Sequence, residues 1–359
     1  MASILYSPFH DWSARFRDVY LSPLLSGPLL FAVTYAPNAV RELILDIASK
    51  IPGLQISPEF DMSTLTTVLR VVFALSVVRK LNGVLNTIAA NSWRVTRGKG
   101  WDWPNEIAVV TGGSSGIGTD IVDGLVALGV RVAVLDVQPL PKSLENNPRV
   151  RYYECDVTSS ESVASVADSV RRELGHPSIL VNNAGITKPI SILKMSEQFL
   201  RKIFGVNTIS HWFLVQQFLP HMIQANKGHI VTVASLASYV ALPTGADYSA
   251  TKAAALAFHE SLACELKHVY KAPNVLTTVV HPNFVRTPLV EDFADHLVQS
   301  GVHMLTSKQI ADPIVAQIKS RRGGQLILPR GATPISGIRG WPTWLQELVR
   351  DTLGRSSLA

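Results

Sequence analysis

Tyr248 and Lys252 stand four residues apart in YSATK, and Ser235 precedes the tyrosine by thirteen. Four residues make about one helical turn, so on a helix the phenol and the ammonium leave the same face. A free tyrosine titrates near pH ~10 and is a poor acid or base at neutrality, whereas a fixed neighbouring cation favours the phenolate and lowers that value. Such a pair suits proton transfer at an alcohol or carbonyl oxygen while a nicotinamide ring carries the hydride. Alone, the same spacing also describes an ordinary surface helix. The preceding GHIVTVAS reads as a buried strand, β-branched and apolar after a glycine. That sets Ser235 at a strand's carboxyl end, the edge where open α/β sheets hold their ligands.

Upstream lies a glycine-rich turn, TGGSSGIG, with Thr111, Gly112, Ser114, Ser115, Gly116, Ile117 and Gly118 as its cofactor-binding candidates. It follows a short apolar strand, EIAVV at Glu106 to Val110, and opens a helix pattern with Ile117, Ile121, Leu125 and Leu128 on one face. Glycines allow the tight turn, and free amides at a helix start favour a bound pyrophosphate. The next strand, RVAVLDV, ends in Asp136, eighteen residues beyond Gly118. A carboxylate there accepts hydrogen bonds from the adenosine ribose and repels the extra phosphate of NADP. No Lys or Arg follows Asp136 until Lys142, so NAD is expected, with NADP still possible.

In content, order and spacing, TGGSSGIG, Asp136, Asp156 in CDVT, NNAG at Asn182 to Gly185, Asn207 in GVNT, Ser235 and YSATK resemble the short-chain dehydrogenase/reductase family, over roughly Glu106 to Leu328. The resemblance implies roles. Ser235 hydrogen-bonds the substrate oxygen, Tyr248 exchanges the proton, Lys252 lowers the tyrosine pKa and holds the nicotinamide ribose, and Asn207 anchors a water in the proton relay. It also implies that Asp156 and Val157 meet the adenine, that Asn183, Ala184 and Gly185 line the cofactor, and that Tyr248 and Lys252 touch it. A turn and a strand exit explain Asp156 and NNAG equally well. The family usually has Pro-Gly after the sixth strand, whereas this chain has Pro282 and Asn283 in HPNFVRTP. Asn tolerates a left-handed backbone, so the loop is expected to form. Thr287 is then either a nicotinamide-side contact or a helix N-cap before Pro288. His281 reads as a packed histidine rather than a base.

These residues need an alternating α/β frame. Strands near 106, 131, 149, 178, 228, 275 and 325, with helices near 117, 160, 203, 247 and 307, predict a Rossmann-type, doubly wound, seven-stranded parallel sheet. The helices at Ile203 to Ala225 and Asp247 to Tyr270 are long and carry apolar faces; the resemblance implies a homodimer across them, and core packing also explains them. Neither Cys155 nor Cys264 belongs to a disulfide pattern, which fits a reducing, cytosol-facing environment, and the ten scattered His residues make no zinc-site spacing. No metal is expected.

At 359 residues the chain exceeds an ordinary Rossmann-type domain by about a hundred. Three segments are expected: an N-terminal apolar helical membrane-attachment region (1–100), a catalytic domain (101–330) and an amphipathic tail (331–359). Residues 1–100 hold ten Lys+Arg against six Asp+Glu, so they carry +4 of the +6 net charge. Arg79, Lys80, Arg94, Arg97 and Lys99 follow an apolar stretch with no acid among them, which suits anionic lipid headgroups with the catalytic domain on the cytosolic side; a solvated linker is the plainer reading. Val19 to Val40 is uncharged but interrupted by Pro23, Pro28 and Pro37, and Met62 to Val78 is broken by Arg70. Each crosses, dips into or lies on a bilayer, or packs on the enzyme. Asn38 to Ile51 between them fits an amphipathic surface helix. The first twenty residues lack the basic-then-apolar layout of a cleaved signal peptide.

Thr287 to Thr306 supplies Leu289, Val290, Phe293, Leu297, Val302, Met304 and Leu305, an apolar lid suited to a lipophilic substrate. In the tail, Trp341, Trp344, Leu345, Leu348, Val349 and Leu353 form a further stripe, facing either a membrane interface or the domain. The whole layout resembles the membrane-associated retinol and hydroxysteroid dehydrogenase-like branch, implying an endoplasmic-reticulum or lipid-droplet location. The expected activity is NAD(P)-dependent hydride transfer on a retinoid, steroid or long-chain alcohol, ketone or aldehyde. The alternatives are an NADPH-dependent lipid ketone reductase and a membrane or lipid-droplet surface scaffold with the same fold. Nucleic-acid binding is not expected, because the basic run lacks interleaved aromatics beyond Trp93.

Overall fold

A computed structural model describes residues 19–52, 57 and 60–358. Most of the first twenty residues, and with them the reading against a signal peptide, lie outside the described residues. Two compact units are present, dividing between Ala89 and Ala90.

In the larger unit all seven predicted strands form: β1 (Ile107–Thr111), β2 (Arg131–Asp136), β3 (Val150–Glu154), β4 (Ile179–Asn182), β5 (Gly228–Val233), β6 (Val275–Pro282) and β9 (Gly324–Leu328). They pair in parallel in the order β3-β2-β1-β4-β5-β6-β9. The central strands are buried along their whole length, as both-face burial in a parallel sheet requires. On one face pack α4 (Gly116–Ala127) and α10 (Ser307–Ser320), through Ile121, Leu125, Ile310, Ile314 and Ile318. The other face receives α5 (Ser160–Glu173), α7 (Ser210–Ala225) and α8 (Ala246–His268), through Val163, Val170, Phe218, Met222, Leu262 and Leu266. The strand order reverses between β1 and β4, which opens a crevice at their carboxyl ends.

Local chemistry sets the helix ends. Thr306 and Gln309 make a capping box at the start of α10, and left-handed Asn226 and Arg321 close α7 and α10. The helix expected from Ile203 to Ala225 is not continuous. It is α6 (Glu197–Phe204), a π turn at Gly205–Ile209, and α7. The expected lid folds as α9 (Glu291–Gln299) between two-residue strands β7 (Val285–Arg286) and β8 (Leu305–Thr306). Asn283 does not take the left-handed backbone foreseen for it; its amide donates to Leu328 O at 2.8 Å, joining the loop to β9. The tail is an irregular helical stretch, Arg330–Gly340, followed by α11 (Thr343–Leu358). Its apolar stripe divides. Leu353 is 5% exposed and packs with Val240, Ile338 and Trp341, whereas Trp344 and Leu348 are 69% and 50% exposed. Of the basic run, Arg94 is drawn into this unit by Asn274 and by the Asn91 carbonyl.

The smaller unit contains α1 (Pro23–Tyr35), α2 (Pro37–Ser49) and most of α3 (Met62–Ala90). The proline at 37 divides Val19 to Val40 into two helices at Ala36. Ser26 Oγ and Ser76 Oγ meet at 3.0 Å, and Gly27 lets α1 approach the ring of Phe73. Among the described residues no helix is long and apolar enough to cross a membrane.

Candidate active site

The glycine turn is built for close backbone approach. A Cβ on Gly118 would lie 2.0 Å from the Gly112 carbonyl oxygen, and Gly116 takes a left-handed φ of +55° beneath the Thr287 side chain. These glycines let α4 begin directly at the end of β1, with its first amides at the cavity edge and no acid in its first turn. That is an anion cradle. Asp136 closes the next strand, its carboxylate accepting from the Ser114 amide and the Gln138 amide, each at 3.0 Å. Asp156 and Val157 border the same cavity, with Asp156 Oδ1 accepting from the Thr158 amide and hydroxyl at 2.9 and 2.7 Å.

Asn183 lines the cavity, but its side chain is engaged elsewhere. Its amide donates to the Thr111 and Gly112 carbonyls, each at 3.0 Å, while Thr111 Oγ1 accepts from the main-chain amides of Asn183 and Ala184. NNAG therefore braces the glycine turn from the neighbouring strand. Gly185 continues along the wall beside Lys252 and Asn207.

Asn207 sits in the π turn, fully buried. Its Oδ1 accepts from the Ile186 amide at 2.8 Å, and its Nδ2 donates to the Ile186 carbonyl at 2.9 Å and to Thr251 Oγ1 at 3.2 Å. The side chain thus ties β4's exit loop to α8, with one of the two lone pairs of Oδ1 left over.

Ser235 ends β5. Its Oγ accepts from the Ala237 amide at 3.1 Å and faces the Pro282 carbonyl at 3.4 Å. Tyr248 and Lys252 lie in the first turns of α8, with the Lys252 Nζ 5.6 Å from the centre of the Tyr248 ring. The expected lowering of the tyrosine is not what prevails here: burial pushes the Tyr248 hydroxyl up, and the Ser235 hydrogen bond draws it partly back. Lys252 is 4% exposed, donates to the Val233 carbonyl at 2.9 Å, and is pushed by burial down to about 8. Thr287 reaches the glycine turn from the loop after β6, its hydroxyl within 3.4 Å of the Val285 carbonyl.

All these residues except Thr111, Ser114, Gly118 and Asn207 border one cavity of about 850 Å³; those four stand directly behind it. That volume is ample for a nucleotide-sized ligand. Beyond Ser235 and Tyr248 the wall turns apolar, with Phe284, Leu289, Phe293 and Leu297 joined by Leu242, Ile335 and Leu353. The last three were not singled out as pocket residues from sequence, although Leu353 belongs to the tail stripe. The cradle, the ribose-height carboxylate and the serine, tyrosine and lysine set fit a nicotinamide dinucleotide.

A family model for short chain dehydrogenase matches residues 106–298. The chain belongs to that family. Its members' NAD(P)-dependent oxidoreductase chemistry on CH–OH groups is therefore the chemistry of this protein. Dehydrogenase RED2 of Cochliobolus heterostrophus is 40% identical over 213 residues, covering 58% of this chain and 80% of that one. Epidermal retinol dehydrogenase 2 of Mus musculus is 35% identical, over 52% of this chain and 62% of that protein. Human estradiol 17-beta-dehydrogenase 11 is 33% identical, over 52% and 64%. Among solved structures, a short-chain dehydrogenase from Streptomyces avermitilis aligns with a TM-score of 0.58 and 25% identity, covering 69% of this chain and 98% of that one.

Proposed function

We propose that this short-chain dehydrogenase oxidises a lipophilic alcohol, or reduces the matching carbonyl, with NAD as the preferred cofactor. The observation that carries the reading is the position of Ser235 and Tyr248 between a dinucleotide-sized cradle and an apolar wall in one cavity. Two relatives carry names that specify a retinol and a steroid alcohol, which supports the same substrate class.

The bound nicotinamide supplies or accepts the hydride. Ser235 holds the substrate oxygen through its hydroxyl, and Tyr248 gives that oxygen a proton in reduction or takes one in oxidation. Lys252, cationic at neutral pH, stabilises the charge that develops on the phenol and reaches the nicotinamide-side ribose. Asn207 holds Ile186 and Thr251 in register and anchors the relay water. The glycine turn from Thr111 to Gly118 seats the pyrophosphate, Asp136 the adenosine ribose, Asp156 and Val157 the adenine edge, and Asn183 to Gly185 with Thr287 the remaining cofactor wall. Asp136 disfavours a ribose phosphate by like-charge repulsion, with no basic side chain in TGGSSGIG to offset it.

Residues 1–100 attach the protein to a membrane surface, with 101–330 catalytic and 331–359 completing the pocket. Leu24 and Phe31 on the uncharged α1 are 89% and 64% exposed, and Val71, Leu75 and Val78 are exposed on α3, which suits an interfacial rather than a spanning attachment. Exposed Lys80, Arg97 and Lys99 suit an anionic cytosolic leaflet such as that of the endoplasmic reticulum or a lipid droplet. Ile209 and Trp212 on the outer side of the π turn and α7 offer an apolar surface for a homodimer.

The test is steady-state turnover of long-chain secondary alcohols, retinol and estradiol with NAD and with NADP, using the wild-type protein and Asp136→Asn. NAD should be favoured by at least about tenfold, and the preference should narrow in the variant. An NADP preference with Asp136 intact would contradict the cofactor reading, and turnover confined to small polar alcohols would contradict the substrate class.

A further inference from the structure

The ladder between β5 and β6 ends with the Ala234 amide donating to the Val280 carbonyl at 2.8 Å. One residue later the chain leaves the sheet for the helical turn Leu236–Ser238, and the carbonyl of Ser235 has two donors. The Ser238 amide reaches it at 3.0 Å from within the turn, and His281 Nδ1 lies 3.1 Å away from β6. A side chain of the sheet thus takes over where the main-chain ladder stops.

The direction of these bonds fixes the tautomer. A carbonyl only accepts, so Nδ1 carries the hydrogen and Nε2 is left as an acceptor. Nε2 faces the Tyr239 hydroxyl at 3.1 Å, and the Tyr239 oxygen lies 2.6 Å from Gln325 Nε2, which can only donate. A single donor direction therefore runs from the exposed Gln325 amide through the Tyr239 hydroxyl and the imidazole to the Ser235 carbonyl. His281 is fully buried, which keeps the ring neutral; burial pushes it down to about 4. The adjacent Pro282 carbonyl faces Ser235 Oγ, so β6 holds both ends of the same serine.

We infer that His281 is a positioning residue: fixed in one tautomer by Tyr239 and Gln325, it clamps the Ser235 main chain so that the serine hydroxyl points toward Tyr248. The inference rests on the assignment of Ser235 as the hydroxyl that holds the substrate oxygen. A displacement of about 1 Å at such a group is enough to slow a reaction by up to ~100-fold, so a clamp on the main chain bears directly on rate.

The experiment uses the full chain with NAD and a long-chain secondary alcohol, and measures kcat, KM and the dissociation constant of NADH by fluorescence. His281→Leu should lower kcat by about tenfold while NADH binding stays within about twofold. His281→Asn, whose side-chain amide replaces the Nδ1 donor, should return kcat to within about threefold of wild type. In a Ser235→Ala background His281→Leu should cost less than about twofold more, because residues acting as one unit are not additive. If His281→Leu does not fold, Tyr239→Phe keeps the ring and removes the hydroxyl; it should lower kcat by about threefold, and only when Ser235 is present. An unchanged kcat in His281→Leu (or, if that does not fold, in Tyr239→Phe), or an equal loss with and without Ser235, overturns the clamp. Should Ser235→Ala itself turn over like wild type, the serine assignment fails and the clamp with it. A damaged Ser235→Ala beside an indifferent His281→Leu removes the clamp alone.

Discussion

Replacing Lys252 with methionine should inactivate the enzyme and stabilise it. The ammonium is 4% exposed, and burial brings it from an ordinary 10.5 down to about 8. At 1.36 kcal/mol per pH unit, keeping it charged costs the folded state about 3 kcal/mol at pH 7. Methionine fills nearly the same volume without charge and loses the 2.9 Å bond to the Val233 carbonyl, worth about 1 kcal/mol. A net gain of about 2 kcal/mol follows, or roughly 4–6 °C in the melting temperature of a unit this size. The pH dependence has a definite sign. Below about 8 the lysine is protonated folded and unfolded, and the full cost is present. Between about 8 and 10.5 the unfolded chain binds the proton that the folded one has released, so wild-type stability rises with pH and the variant's advantage shrinks. Thermal unfolding of both proteins from pH 6 to 10, beside turnover at pH 7, is the assay. A variant that melts below wild type at pH 7, a gap that widens above pH 8, or undiminished turnover would refute the reasoning.

Two further substitutions separate cofactor binding from stability. Gly118→Ala forces a Cβ to within 2.0 Å of the Gly112 carbonyl, so the turn must open, and NADH binding by fluorescence should weaken by about 100-fold or more. Lys227 Nζ lies 2.6 Å from Glu106 Oε1, whose side chain is 4% exposed, while the lysine side chain remains 29% exposed. Lys227→Met leaves that carboxylate without its cation, with the Asp102 amide and the Ser178 hydroxyl still donating to it, and chemical denaturation should register a loss of about 2–3 kcal/mol, below the full cost of a broken buried pair because the cation is partly solvated.

The centre of the sheet was legible because β1, β4, β5 and β6 are short runs rich in β-branched and apolar residues between turn signals, buried on both faces. The motifs were legible as positions, since the glycine turn, Asp136, Ser235, Tyr248 and Lys252 all depend on local spacing that a strand or helix end carries directly to the cavity. Long-range bonds were not. Nothing in NNAG says that Asn183 spends its amide on the Thr111 and Gly112 carbonyls, or in GVNT that a π turn will commit the Asn207 side chain to Ile186 and Thr251. Spacing placed a cation beside Tyr248 but carried no information on depth, and here burial raises the tyrosine while the Ser235 hydrogen bond draws it partly back. The tail's stripe was visible as apolar, yet only packing decides that Leu353 turns inward while Trp344 and Leu348 face out.

In the proposed reaction Tyr248 is the group that moves the proton. Tyr248→Phe removes one hydroxyl from a half-buried ring and leaves the glycine cradle, Asp136 and Lys252 in place. Turnover of a lipophilic alcohol with NAD should fall by about a thousandfold while NADH binding stays within about threefold of wild type. Turnover within tenfold of wild type at undiminished cofactor affinity would contradict it.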